Sequence, residues 1–196
     1  MLSNRFTEAL VYATELHATQ TRKGGKVPYI SHLLTVASVV LEYGGNEDEA
    51  IAALLHDAVE DQGGPATREI IRQKFGENVA AIVDGCTDSD ITPKPPWQAR
   101  KEEYINHVAT ASASVRLVSA ADKLHNAWSI LKDYRIYGEE VWQKFHGGKE
   151  GTLWYYRSLV TAFRQVESDP LVDELDRVVT KLEYLVAKNS KSDKEY

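Results

Sequence analysis

The stretch "NEDEAIAALLHDAVEDQGG", Asn46 to Gly64, decides the fold. Asn46 stands where a helix cap belongs, and Glu49 follows three residues later, where a capping-box acid reaches back to the cap. The apolar run Ala50–Leu55 comes next, and Gly63 and Gly64 close the segment. The pattern predicts one helix over 47–61 whose first turns are built for burial. Its end is different. His56, Asp57, Glu60 and Asp61 occupy the last two turns, and four-residue spacing on a helix places His56 over Glu60 and Asp57 over Asp61.

That placement is electrostatically unfavourable. A helix C-terminus carries about half a negative charge, so acids there cost a few tenths of a kcal/mol each. Burying one unpaired beside Leu54, Leu55 and Val59 would cost several kcal/mol, on the order of a lost charge–water interaction. The segment holds no lysine or arginine. Compensation must come from a metal ion or from cations elsewhere in the chain, unless these acids simply face water.

Working outward, apolar residues recur at helical spacing almost throughout, and strand-like alternation is nowhere sustained. "FTEALVYATELHATQ" reads as a helix, followed by the loop "TRKGGKVPYI". "SHLLTVASVVLEYGG" reads as a helix capped by Ser31 and stopped by Gly44, and "TREIIRQKFG" and "ENVAAIVDG" as short helices each ended by glycine. "WQARKEEYINHVATA", "VRLVSAADKLHNAWSIL" and "GTLWYYRSLVTAFRQV" continue the pattern. Asp169 and Pro170 open "DPLVDELDRVVTKLEYLVAK" with a strong start signal. Trp128 and Trp154 are expected in the core, and His17, His107 and His146 as structural or surface residues. The expectation is an all-α fold, one domain over 1–186, and a polar tail over 187–196.

Composition narrows the classes. The chain has 196 residues, 43% hydrophobic and 27% charged, as in an ordinary globular domain. Its single cysteine, Cys86, excludes an intrachain disulfide. A formal charge of −6 argues against the basic face that nucleic-acid binding needs. No apolar run reaches the roughly 18–20 residues that span a bilayer, and the N-terminus shows no export signal. We therefore expect a cytoplasmic protein with no membrane or nucleic-acid partner.

Two other segments complete a metal-like set. His32 opens the preceding helix, and Asp122 lies in "LVSAADKLHN", where Ser119, Ala120 and Ala121 permit close helix packing. His32, His56, Asp57 and Asp122 together offer two imidazoles and two carboxylates. Such a set leaves positions open on a six-coordinate ion, as hydrolytic metal catalysis requires, but donor type alone does not choose among Mn, Fe, Co and Zn. Each residue alone has a plainer reading, Asp122 as a surface acid and His32 as a capping histidine.

The order H…HD…D resembles the signature of HD-domain phosphohydrolases. "RKGGKVPYISH", "ALLHDAVED", "FGENVAAIVDGCTD" and "ADKLHN" are similar to the hydrolase domain of the RelA/SpoT-homologue family, above all its small stand-alone alarmone hydrolases. The likeness covers roughly Phe6 to Val166. It implies a compact all-α HD fold, Mn²⁺, and removal of the 3′-pyrophosphate of (p)ppGpp by a metal-activated water. Carried over, it makes His32, His56, Asp57 and Asp122 the metal ligands. It makes Glu60 and Asp61 the pair that activates and orients the water. Arg22 and Lys23 match positions that contact the nucleotide, and Asn126, one turn from Asp122, can donate a hydrogen bond toward it. Lys101, Lys123 and Tyr155 are weaker candidates, Lys26 belongs to the same basic loop, and His125 stands where it could support a ligand.

Departures bear on the base. "CTD" at Cys86–Asp88 replaces the "VTK" of many members, the unusual "SDITPKPPW" follows, and "AWS" follows "LHN". An adenine alarmone, (p)ppApp, or NADPH is the alternative substrate, and a catalytically inactive nucleotide sensor is the alternative of a different class. No synthetase region is expected. The segment 137–157 is assigned either to a pocket rim or to a contact between copies.

Overall fold

The computed structural model describes residues 1–88, 93–166 and 169–192. Residues 89–92 of the proline-rich segment and 193–196 of the tail lie outside the described residues. Helices follow one another along the chain: α1 (Asn4–Leu16), α2 (Ile30–Glu42), α3 (Glu47–Leu55), the single turn α4 (Ala58–Asp61), α5 (Gly64–Phe75), α6 (Glu77–Cys86) and α7 (Trp97–Val108). Then come α8 (Ala113–Tyr137), a 3₁₀ segment (Gly138–Lys144), α9 (Gly148–Arg164) and α10 (Pro170–Ser192). Among the described residues the extended pairing is one isolated bridge, Thr21 with Pro28. The all-α expectation is met. Among the same residues no helix is long and apolar enough to cross a membrane.

Helix α3 is the axis of the fold. Its capping box forms as expected: the Asn46 side chain accepts the Glu49 N–H (3.1 Å), and the Glu49 carboxylate accepts the Asn46 N–H (2.7 Å). Ala50 to Leu55 are wholly buried, because α1, α2, α6 and α8 pack around the helix on all sides. A helix apolar all round its circumference can only be stable in such a position. The 25-residue α8 runs past it. The small residues Ser119, Ala120 and Ala121 are buried there and let α8 approach α2, α3 and α6. Helix α10 starts as expected, with Asp169 accepting the Leu171 N–H at 2.7 Å. It packs on α8 and α9 and continues to Ser192.

Three expectations are corrected. The helix predicted over 47–61 breaks after Leu55. The His56 imidazole Nδ1 takes the carbonyl of Ala53 (2.8 Å), and Asp57, at φ −95° and ψ −2°, turns the chain. A side chain that bonds a nearby carbonyl competes with the helical ladder. Helix α2 begins at Ile30 rather than behind a Ser31 cap, its first turn closed by Ser31 and His32 N–H groups on the Pro28 and Tyr29 carbonyls. Trp128 is 36% exposed and not core: the buried face of this half of α8 is centred on Ala127, Ile130 and Tyr134, and Trp128 lies beyond its Leu124 edge.

Candidate metal centre and active site

The break in the α3–α4 segment builds the site. His56 ends the buried helix and is 3% exposed. Because a carbonyl only accepts, the His56 Nδ1 must donate to Ala53, and a neutral His56 then presents a bare Nε2. That Nε2 is buried without a hydrogen-bond partner. It stands 3.0 Å from Asp57 Oδ2 and 3.6 Å from Asp122 Oδ1. His32, delivered by the first turn of α2 and 1% exposed, directs its own Nε2 to the same two oxygens, at 3.5 Å and 3.2 Å. The donor atoms of His32, His56 and Asp57 lie within 4.8 Å of one another, and Asp122 joins them from α8.

An outer set of groups orients these four. Tyr29 donates its hydroxyl to Asp57 Oδ2 at 2.5 Å. His125 meets His32 Nδ1 through its own Nδ1 at 2.6 Å. Burial, His32 and Arg22 push the His125 imidazole down to about 4, so at neutral pH it is uncharged and can accept from His32 Nδ1–H. That donation leaves His32 Nε2 bare as well. Lys123 donates to Asp122 Oδ2 (2.5 Å), and Asn126 donates to Asp122 Oδ1. Asn126 in turn accepts from Arg22 (2.6 Å). Such outer-shell partners fix tautomer and orientation in metal sites generally.

The charge balance has a pH signature in the metal-free protein. Burial alone would lower the His56 value, but the Asp57 and Asp122 carboxylates beside its Nε2 raise it well above the usual histidine range. Burial alone would raise Asp57, but the His56 and His32 imidazoles beside it hold it well below the carboxylate range. Asp122 is likewise held low, against burial, by Lys123 and the two histidines. The carboxylates therefore contribute stability above about pH 4 that is lost as pH falls through their depressed values. His56 contributes stability fully present below about pH 6.5 that is lost as pH rises through its raised value. Metal binding needs the unprotonated imidazole. The melting temperature of chelator-treated protein is expected to fall on the alkaline side, and the metal-loaded protein is expected to lose this alkaline decline. Parallel thermal scans from pH 6 to pH 10 check this.

The acidic pair lies beside the four donors but is held differently. Glu60 accepts Lys94 Nζ at 2.6 Å and the Asp88 N–H at 3.4 Å. Asp61 accepts Gln20 Nε2 at 2.8 Å. Desolvation and the Asp57 charge raise the Asp61 carboxyl above its ordinary value. A cation from elsewhere in the chain thus meets one acid of this segment, Lys94 on Glu60, while Asp61 is met by the neutral amide of Gln20.

Basic and aromatic residues form the surroundings. Arg22 lies over the Tyr29 ring (5.6 Å) and Lys23 over Phe145 (5.8 Å). Gly24, at φ +75°, sits against Lys144, whose side chain a Cβ would meet at 2.8 Å. Lys144 and Phe145 therefore border the basic loop. Lys101 bonds Asp88 Oδ2 (3.0 Å) and stands over Tyr155 at 5.0 Å. Tyr155 is buried, packed edge-on against Trp97 and Tyr156. Asp88, the departure in "CTD", pairs with both Arg100 and Lys101.

A family model described as "HD domain" matches residues 9–153, a span that includes all four donors. The chain belongs to the HD-domain family. This HD domain is 40% identical over 140 residues to the guanosine-3′,5′-bis(diphosphate) 3′-pyrophosphohydrolase MESH1 of Xenopus tropicalis, covering 70% of the chain and 73% of that protein. It is 34% identical over 143 residues to MESH1 of Drosophila melanogaster, covering 71% and 75%. A probable GTP pyrophosphokinase of Mycobacterium leprae is 40% identical over 121 residues, 60% of the chain and only 15% of that longer protein. Among solved structures, a metazoan ortholog of SpoT that hydrolyses ppGpp superposes with a TM-score of 0.75 at 27% identity, covering 92% of this chain and 97% of that one.

Sequence reasoning brought the four donors and the acidic pair to one place but missed Tyr29, Gln20 and Lys94. Tyr29 lies three residues before His32, a helical spacing that carried a usable signal. The other two carried none.

Proposed function

We propose that this HD domain is a divalent-metal-dependent hydrolase that removes the 3′-pyrophosphate of (p)ppGpp-type alarmones. One observation carries the reading: two imidazole Nε2 atoms, one an orphan in a buried pocket, converge with the carboxylates of Asp57 and Asp122. An unpartnered buried nitrogen is costly, and its bonding need is that of a metal ligand. His32, His56, Asp57 and Asp122 would hold the ion, which we take to be Mn²⁺ on the family likeness, a choice the mixed nitrogen and oxygen donors allow. When bound, such an ion lowers the pKa of a coordinated water and offsets phosphate charge.

The chain's own residues do the rest. Glu60 and Asp61 form the acidic pair that takes the proton of the attacking water and orients it, and burial beside the Asp57 charge makes the Asp61 carboxylate a stronger base than a free one. The water oxygen bonds to the phosphorus on the 3′-oxygen, the P–O3′ bond breaks with the 3′-oxygen as leaving group, and that oxygen takes up the proton given to the acidic pair, so that pyrophosphate and a 3′-hydroxyl are the products. Arg22, Lys23 and Lys101 supply positive charge for the phosphates, with Asn126 holding Arg22 in place. Tyr155, buried beneath Lys101, shapes that wall. A small nucleotide is the substrate, and the cytoplasm is where we place the reaction.

A product-resolved assay of the Mn²⁺-loaded protein on ppGpp, ppApp and NADPH tests this. Pyrophosphate release from ppGpp is expected. Phosphate release from NADPH alone, or nucleotide binding with background turnover throughout, would overturn it in favour of a phosphatase or a sensor.

A further inference from the structure

Behind the acidic pair, the end of α1 and the following loop form a hydrogen-bond chain. Gln20 donates from Nε2 to Asp61 Oδ2 (2.8 Å). Its Oε1 accepts from Gln62 Nε2 (2.6 Å) and faces His17 Nδ1, also at 2.6 Å. The polarity of the chain follows from the chemistry of its ends. A carboxylate ready to take a proton only accepts, so Gln20 must present its NH₂ to Asp61. Its carbonyl is then turned toward His17, and His17 Nδ1 must carry the proton. His17 Nε2 is therefore bare, and it is buried with no hydrogen-bond partner.

The residues of this chain are themselves anchored. His17 is 2% exposed, and its ring stacks on Tyr29 at 5.3 Å and 20°. The Tyr29 hydroxyl reaches Asp57. The backbone carbonyl of Gln20 accepts the Tyr29 N–H (2.9 Å) beside the Thr21–Pro28 bridge. One residue thus closes the loop bearing Arg22 and Lys23 through its backbone, and meets the water-handling acid through its side chain.

We propose that Gln20 is a positioning residue for hydrolysis, holding Asp61 in the orientation from which its carboxylate meets the attacking water, while His17 locks the Gln20 amide against a flip. The role rests on the hydrolase reading above. Gln20 acts through Asp61, so its side chain governs kcat and leaves KM unchanged.

The test uses the full chain loaded with Mn²⁺ and assayed on ppGpp. Gln20→Met keeps the length and every backbone bond and removes both polar ends. Its kcat is expected to fall by about 10- to 100-fold, the scale of a catalytic group misplaced by an ångström, with KM, metal content and melting temperature held. His17→Phe, which keeps the stack on Tyr29 and loses the Nδ1 proton, is expected to lower kcat in the same direction. His17→Asn, whose amide N–H can stand near Nδ1, is expected to recover most of it. Nitrogen-15 correlation spectra of the Zn²⁺-loaded protein read the network without turnover, and His17 is expected as the Nδ1–H tautomer. Unchanged kcat in Gln20→Met overturns the role, as does a loss accompanied by loss of metal or of folding. An Nε2–H tautomer in an active protein overturns it too. An inactive wild type with the Nδ1–H tautomer in place overturns the hydrolase reading instead.

Discussion

Asp57→Ala is expected to remove metal binding and hydrolysis together. Asp57 Oδ2 is the oxygen nearest to His56 Nε2, at 3.0 Å, and it also faces His32 Nε2 and accepts the Tyr29 hydroxyl. Without it the two imidazoles face each other across a gap with Asp122 alone, and the Tyr29 hydroxyl loses its acceptor. A metal's share in generating the nucleophile and offsetting phosphate charge is several kcal/mol. At about 1.4 kcal/mol per factor of ten, turnover should drop by at least about 10³-fold. Metal content after dialysis against Mn²⁺, read beside kcat on ppGpp and a thermal scan, checks the prediction. A folded variant that keeps stoichiometric metal would remove Asp57 from the ligand set.

Glu60→Gln is expected to give the opposite pattern: metal retained, turnover lost. Glu60 is bound by Lys94 and the Asp88 N–H, groups outside the four donors. Glutamine keeps the shape and an acceptor oxygen but abolishes the charge that takes a proton. General acid–base groups contribute about 10²- to 10⁴-fold, and the loss should fall in that range. It should appear in kcat, because the proton moves only as the water attacks. Full activity in Glu60→Gln would leave Asp61 as the sole proton acceptor.

These two residues also show what a sequence can and cannot carry. The capping box at Asn46, the start at Asp169–Pro170 and the buried run Ala50–Leu55 are local, and the structure forms them as read. The break at His56 is not local in the same sense. It depends on an imidazole bonding the Ala53 carbonyl, which helical periodicity does not encode. The four donors were legible as residue types, yet their convergence is the work of α2 and α8 packing on α3. Gln20 meets Asp61 across 41 residues and Lys94 meets Glu60 across 34, separations that only the folded chain closes. Trp128 was misplaced for a geometric reason: the buried face of this half of α8 centres on Ala127, Ile130 and Tyr134, and Trp128, about 100° round from Ala127, lies beyond its Leu124 edge.

The central claim is a single divalent ion held by His32, His56, Asp57 and Asp122. Diffraction from Mn²⁺-soaked crystals at the manganese absorption edge tests it most directly. One anomalous peak bonded to both Nε2 atoms and to an oxygen of each aspartate is the predicted result. A peak elsewhere, or none in fully folded protein at saturating Mn²⁺, would contradict it.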